Sequence, residues 1–143
     1  MSQDNVEIIR GTYTAWLAGD FAAALATLDE DIEVHPDPEA AWVGIGDVYR
    51  GHDGIRSYLR LVYEVFEEYR PEVEQLIDAG DRVLTLAIEH GRGRGSGAEV
   101  KAQKTAHVWT LRDGRAVRLD LYLDRDRAVK AVGADKLSRP VSP

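Results

Sequence analysis

The chain has 143 residues, 44% of them hydrophobic, which is the length of one domain and enough apolar side chain for one core. Asp and Glu number 25 against 18 Lys and Arg, and the resulting charge of −7 repels a phosphate backbone, so no nucleic-acid partner is expected. The absence of cysteine excludes disulfides, thiolate chemistry and Cys-built zinc sites; with no leader-like start and no apolar run near ~20 residues, a soluble, cytoplasmic protein without membrane contact is expected.

Asp4 and Glu7 have the spacing of a capping box and predict a helix from about Asn5. Val6, Ile9, Tyr13, Trp16 and Leu17 recur at three and four on one stripe, and Gly19 supplies a left-handed cap. Asp20 caps a second helix with Phe21, Leu25 and Leu28 as its buried face, followed by the acidic run Asp29-Glu30-Asp31, read as a solvated connection. Ile32 and Val34 alternate with Glu33 and His35 as a brief strand that stops at Pro36 and Pro38. The stretch from Trp42 to Tyr49 reads as an irregular strand or lid. A third helix is capped by Asp53, buries Ile55, Leu59, Val62 and Phe66, and is expected to run until Pro71.

The period then changes to two. Val73–Ile77, Val83–Glu89, Val100–Leu111 and Ala116–Leu123 read as four strands, joined by turns at Ala79-Gly80-Asp81, Gly91 to Gly97 and Asp113-Gly114. Asp126 to Val132 forms a terminal helix ended by Gly133, so the domain is set at 1–135 and 136–143 is a loose tail. Helices first and an antiparallel meander afterwards make an α+β domain with helices on one face of the sheet.

Gly93-x-Gly95-x-x-Ala98 formally matches a dinucleotide-binding fingerprint, but Glu99-Val100-Lys101-Ala102 continues as a strand where a helix is needed, so no nucleotide cofactor is expected. His35, His52, His90 and His107 have no metal-ligand spacing, and no metal is expected. Tyr13, Trp16, Trp42, Tyr49, Trp109 and Tyr122 carry polar handles on aromatic bodies, which suits either core packing or a cavity of mixed lining.

The last hairpin is the most informative element. In uninterrupted register from the Asp113-Gly114 turn, Trp109 opposes Arg118 and His107 opposes Asp120. One face then carries His107, Trp109, Leu111, Arg118, Asp120 and Tyr122, and the other carries Val108, Leu119, Leu121 and Leu123. The polar face is either solvated or the wall of a reactive pocket, and exposing Trp109 and Leu111 to water would be costly.

The runs GDFAAALATLDEDIEVHPDP, YRGHDGIRSYL, HVWTLRDGR and LYLDRDRAVKAVG resemble the SnoaL-like polyketide cyclases of the nuclear-transport-factor-2-like superfamily, over residues 4 to 133. The resemblance implies a curved antiparallel sheet wrapped round the N-terminal helices as a cone, an internal pocket, and a homodimer through the outer sheet face. On that face Leu119, Leu121 and Leu123 would find their partner. It also implies Asp120 as acid/base with His107 beside it, in an aldol-type cyclisation or a proton transfer next to a carbonyl, without cofactor or metal. Tyr13, Trp16, Trp42, Tyr49, Trp109, Arg118 and Tyr122 would contact a small hydrophobic or polyketide-like ligand, with Tyr13 or Tyr122 as oxyanion donor. The superfamily equally offers isomerase-like and epoxide-hydrolase-like enzymes and non-catalytic binding or dimerisation modules.

Overall fold

The computed structural model describes residues 2–39, 47–93 and 99–133, with the side chains of 2, 3, 93 and 99–102 excepted. Trp42, the centre of the glycine-rich loop and the expected C-terminal tail lie outside the described residues. Helix α1 (Ser2–Leu17) begins three residues before the expected start, and Gly19 follows with a φ of 81°. The Asp20 carboxylate accepts from Ala23 N and caps α2 (Phe21–Leu25), as its spacing indicates. Strand β1 (Leu28–His35) takes in the acidic run expected as a connection: Ile32 and Val34 alternate inward while the carboxylates face out.

A two-residue strand, β2 (Tyr49–Arg50), leads into α3 (Gly51–Val65), which starts ahead of Asp53 and ends before Phe66. From Phe66 the chain is already strand β3 (Phe66–Ala79), so Pro71 lies inside a strand and does not terminate a helix. That is possible because β3 is the edge of the sheet, where half of the N–H groups have no ladder partner to lose. Strands β4 (Arg82–Gly93), β5 (Glu99–Arg112) and β6 (Arg115–Tyr122) complete a curved, unclosed sheet in the order β2-β1-β6-β5-β4-β3. The expected meander is antiparallel throughout, but β1 joins it by a parallel pairing with β6 that places His35 beside Asp120.

One core lies between the helices and the inner sheet face. Val6, Ile9 and Tyr13 of α1 and Ile55 and Leu59 of α3 pack on Ile32, Val34, Leu76, Val83, Trp109, Leu111 and Leu119. Helix α4 (Arg125–Val132), capped by Asp124 and by Gly133 in the left-handed conformation, covers the opposite face, where Ala128 meets Ile77, Leu84, Ala106 and Val108. Among the described residues no helix is long and apolar enough to cross a membrane.

The last hairpin departs from its expected register. Asp113 and Gly114 have φ values of 52° and 78°, the turn their sequence predicts, and Arg112–Arg115 and Leu111–Ala116 pair as expected. A β-bulge then leaves Val117 without a partner, and Thr110 faces Arg118, Trp109 faces Leu119, Val108 faces Asp120, and His107 faces Leu121. A slip of one residue exchanges the faces of a strand. Leu119 and Leu121 therefore join Trp109 and His107 under the helices, and Arg118, Asp120 and Tyr122 turn to the other side. Of the three leucines expected to hold a dimer, Leu119 is thus in the core, only 7% exposed, and Leu121 packs against that core, while Leu123 belongs to neither cluster of buried residues.

Deleting Val117 removes the bulge and forces the charged face of β6 inward, so the deletion variant should fail to give a native circular dichroism and proton NMR signature. Val117→Thr, which keeps the extra residue, should cost less than about 1 kcal/mol in denaturant unfolding.

Candidate functional site

The strand alternation that buries Val83 also points Thr85 and Glu89 of β4 toward the helices, next to Thr105, His107 and Trp109 of β5. His107 donates its Nε2–H to Oε1 of Glu89 at 2.8 Å, and the Thr105 hydroxyl donates to the same oxygen at 3.0 Å. The Tyr69 hydroxyl donates to Oε2 at 2.7 Å. Burial alone would raise the Glu89 carboxyl, but the hydrogen bond and charge of His107, with the Tyr69 and Thr105 donors, outweigh it and hold the group below its ordinary value.

On the far side of the imidazole, Nδ1 lies 2.6 Å from the Tyr13 hydroxyl. That hydroxyl accepts the Trp109 Nε1–H at 2.9 Å and lies 3.1 Å from Thr85 Oγ1. Burial drives the Tyr13 phenol well above its ordinary value, so it stays protonated. Its single proton can point to His107 or to Thr85. Pointed at Nδ1, it leaves a neutral imidazole; pointed at Thr85, it lets an imidazolium donate Nδ1–H back to the phenol oxygen. In either state the His107 and Trp109 N–H groups and the Tyr13 O–H each have an acceptor.

Next to this network is a cavity of about 60 Å³ whose walls include Trp16, Tyr58, Tyr69, His107, Trp109 and Leu121. It is smaller than the usual several-hundred-Å³ ligand pocket. Tyr58 makes no side-chain hydrogen bond to another described residue, burial raises its phenol, and it lines the cavity, whose wall is almost wholly apolar.

The expected site residues divide between two places. Tyr13, Trp16, His107 and Trp109 come together at the inner network, with Tyr13 one layer behind the cavity wall. Tyr49 packs edge-on against Tyr58 at 5.6 Å and does not border the cavity. Arg118, Asp120 and Tyr122 belong to the opposite face of the sheet. Arg118 grips Asp120 through Nε–H and Nη2–H, each at 2.9 Å. Tyr122 lies under the Arg127 guanidinium, 5.8 Å from its ring centre, and Arg127 in turn pairs with the buried Asp37. A His107–Asp120 pair therefore does not form, because the bulge puts the two side chains on opposite faces, and Glu89 is the carboxylate beside His107. Sequence reading missed Glu89, Tyr58 and Tyr69. The alternation Val83, Thr85, Ala87, Glu89 carried the signal for the first.

Residues 9–119 match the SnoaL-like domain, well over half of the chain. The chain belongs to the SnoaL-like family. The family lies in the nuclear-transport-factor-2-like superfamily, and its cone describes the curved sheet closed over by α1–α3. Among solved structures the chain is similar to a nuclear-transport-factor-2-like protein of unknown function from Burkholderia pseudomallei K96243, with 25% identity, TM-score 0.76 and coverage of 90% of this chain and 97% of the other. It is similar to TerC co-crystallised with polyporic acid, at 25% identity and TM-score 0.76 over 91% and 98% of the two chains. A nuclear-transport-factor-2-like protein from Burkholderia thailandensis E264 shares 28% identity at TM-score 0.73, over 89% and 95%. No match was found among curated proteins.

Glu89→Gln removes a charge on which three donors converge and should destabilise the fold by about 2 kcal/mol at pH 7. Because the folded carboxyl titrates below its unfolded value, its stabilisation is complete above the ordinary carboxylate range and is lost as pH falls through the folded value. Unfolding measured from pH 7 to pH 2 should show the wild-type advantage over the variant vanish at the acid end.

Proposed function

We propose that this SnoaL-like protein binds a small, flat, mainly apolar carbonyl compound in the inner cavity and moves a proton at the carbon next to the carbonyl. The hydrogen-bond inventory round His107 carries this reading. The proton lost from the ligand carbon passes to Nε2 of His107 once the ligand takes that nitrogen from Glu89, while Nδ1–H donates to the Tyr13 oxygen and the Tyr13 O–H turns to Thr85, so that the imidazolium keeps its second partner. Glu89 stays ionised, fixes the imidazole orientation and balances the charge His107 gains, which is the role of the carboxylate in a hydroxyl–imidazole–carboxylate relay. The uncommitted Tyr58 hydroxyl is the donor for a carbonyl oxygen whose charge grows as the proton leaves. TerC, similar in fold over nearly the whole chain, was crystallised with polyporic acid, which supports an organic ligand in this cavity.

A second reading, a binding module without chemistry, is favoured by one observation. Both ring nitrogens of His107 and both oxygens of Glu89 already have partners within the protein.

Trp16 and Trp109 border the cavity, so binding should quench their fluorescence. Titration with the bicyclic ketone 2-tetralone should give saturable quenching. Wild-type protein in D₂O should also accelerate deuterium entry next to the ketone carbonyl, read by NMR. His107→Gln should lower that rate by about 10²–10⁴-fold while changing affinity much less. Saturable quenching with no acceleration in the wild type selects the binding module, and no quenching by any aromatic ketone or quinone overturns both readings.

A further inference from the structure

The inner cavity holds about 60 Å³, whereas an apolar cavity that binds benzene measures ~150 Å³. A bicyclic ketone therefore enters only if part of the wall gives way, and most of the wall is held. Leu25, Leu28, Ile55 and Leu59 are buried in the main core, and Leu121 packs against it. Tyr69 is tied to Glu89 and Trp109 to Tyr13 by hydrogen bonds. Trp16 lies against the Tyr13 and Tyr69 rings, and Tyr58 against Tyr49. Phe21 differs on every count. Alone among the described residues of the wall it is exposed, at 41%. It belongs to neither cluster of buried residues, and no other described aromatic ring lies against its own. Its helix, α2, has five residues, of which Ala24 and Leu25 are the buried ones. Turning the Phe21 side chain outward takes nothing out of the core, and exposed side chains change rotamer quickly.

We infer that Phe21 is the entry residue of the inner cavity: its ring fills the mouth while the cavity is empty and turns into solvent to make way for the ligand. The inference rests on the ligand-binding reading above and adds to it the shape of ligand admitted. Room is made at one place only, because the rest of the wall is fixed. The ligands that fit are elongated and apolar, with one end in the present cavity and the remainder where the Phe21 ring had been. The bound state leaves more of the phenyl ring in water, and that cost is subtracted from the affinity.

The test follows tryptophan quenching by 2-tetralone in a stopped-flow instrument, in wild type and in Phe21→Ala, with circular dichroism to check that the variant is folded. Binding that waits on a displacement is slowed by it, so removing the ring should raise the association rate about tenfold or more and also tighten binding. A second measurement keeps the ring in place. The chain has two phenylalanines, Phe21 and Phe66, so incorporation of 4-fluorophenylalanine gives two fluorine NMR signals, and the one missing from Phe21→Ala belongs to Phe21. Saturating the labelled wild type with 2-tetralone should increase the H₂O/D₂O isotope shift of the Phe21 signal and leave that of Phe66 unchanged. An unchanged association rate in Phe21→Ala, or an unchanged Phe21 isotope shift at saturation, overturns the inference and leaves the ligand-binding reading standing. Absence of quenching of the wild type by any aromatic ketone or quinone overturns the reading itself, and the inference with it.

Discussion

A carboxylate placed between a sheet and the helices that cover it loses most of its hydration, a cost of several kcal/mol unless donors replace the water. Glu89 is in that position, and much of the architecture can be followed outward from it. His107 and Thr105 supply two donors because β5 lies beside β4 in a register that puts Thr105, His107 and Glu89 on one face. Tyr69 supplies the third, and the bulged edge strand is what brings it there. The imidazole that serves Glu89 then needs a partner for its other nitrogen, and α1 provides Tyr13. Tyr13 in turn fixes Trp109 and Thr85. One buried charge thus ties the first helix to three strands, and no buried side-chain polar atom among the described residues is left without a partner.

The order of helices and strands was legible because each element carries its own signal: the three-four stripe of α1, the Asp20 and Gly133 caps, the two-residue turn at Asp113-Gly114. Register was not, because it depends on a relation between strands. The turn determines only the first two pairs, and Val117 then displaces all the rest. A sign of the slip was nevertheless present in the sequence. Uninterrupted pairing sets Trp109 against Arg118 and leaves three leucines on the outside, whereas one extra residue gathers Leu111, Trp109, Leu119 and Leu121 on a single buried face. Mixed faces in both halves of a hairpin are better explained by a bulge than by a pocket and an interface together. Tyr69 was hidden for a different reason. Reading α3 as far as Pro71 treated the bulge as helix, since proline at an edge strand looks locally like a helix terminator.

The outer end of the sheet follows the opposite rule to the inner face. Glu33 pairs with Arg50 and His35, and Arg118 pairs with Asp120, on side chains that keep much of their contact with water. Pairs of that kind contribute little each, because solvent screens them. They do establish that this part of β1, β2 and β6 is wet. Helix α4 covers the apolar part of the same face by placing Ala128, Val129 and Val132 over Ala106 and Val108, residues small enough for a helix to approach closely. Of the apolar face that suggested a dimer, Leu119 and Leu121 are therefore used by the main core, and Ala106 and Val108 are covered by α4.

What separates the inner network from an ordinary buried ion pair is the position of Tyr13. An imidazole held between a carboxylate and a fixed donor would be locked in one protonation state, because losing or gaining a proton would leave two lone pairs or two hydrogens facing each other. The phenol has a second acceptor in Thr85, within 3.1 Å, and rotation about one C–O bond is enough to leave both ring nitrogens of His107 with a partner. The cost of changing charge is thereby confined to electrostatics, and Glu89, held ionised by its donors, opposes that cost when His107 becomes cationic. The same saturation that makes the network stable leaves the cavity wall to aromatic and aliphatic side chains. In the proposed function, binding and proton handling fall to different side chains of one cavity, with His107 as the residue common to both.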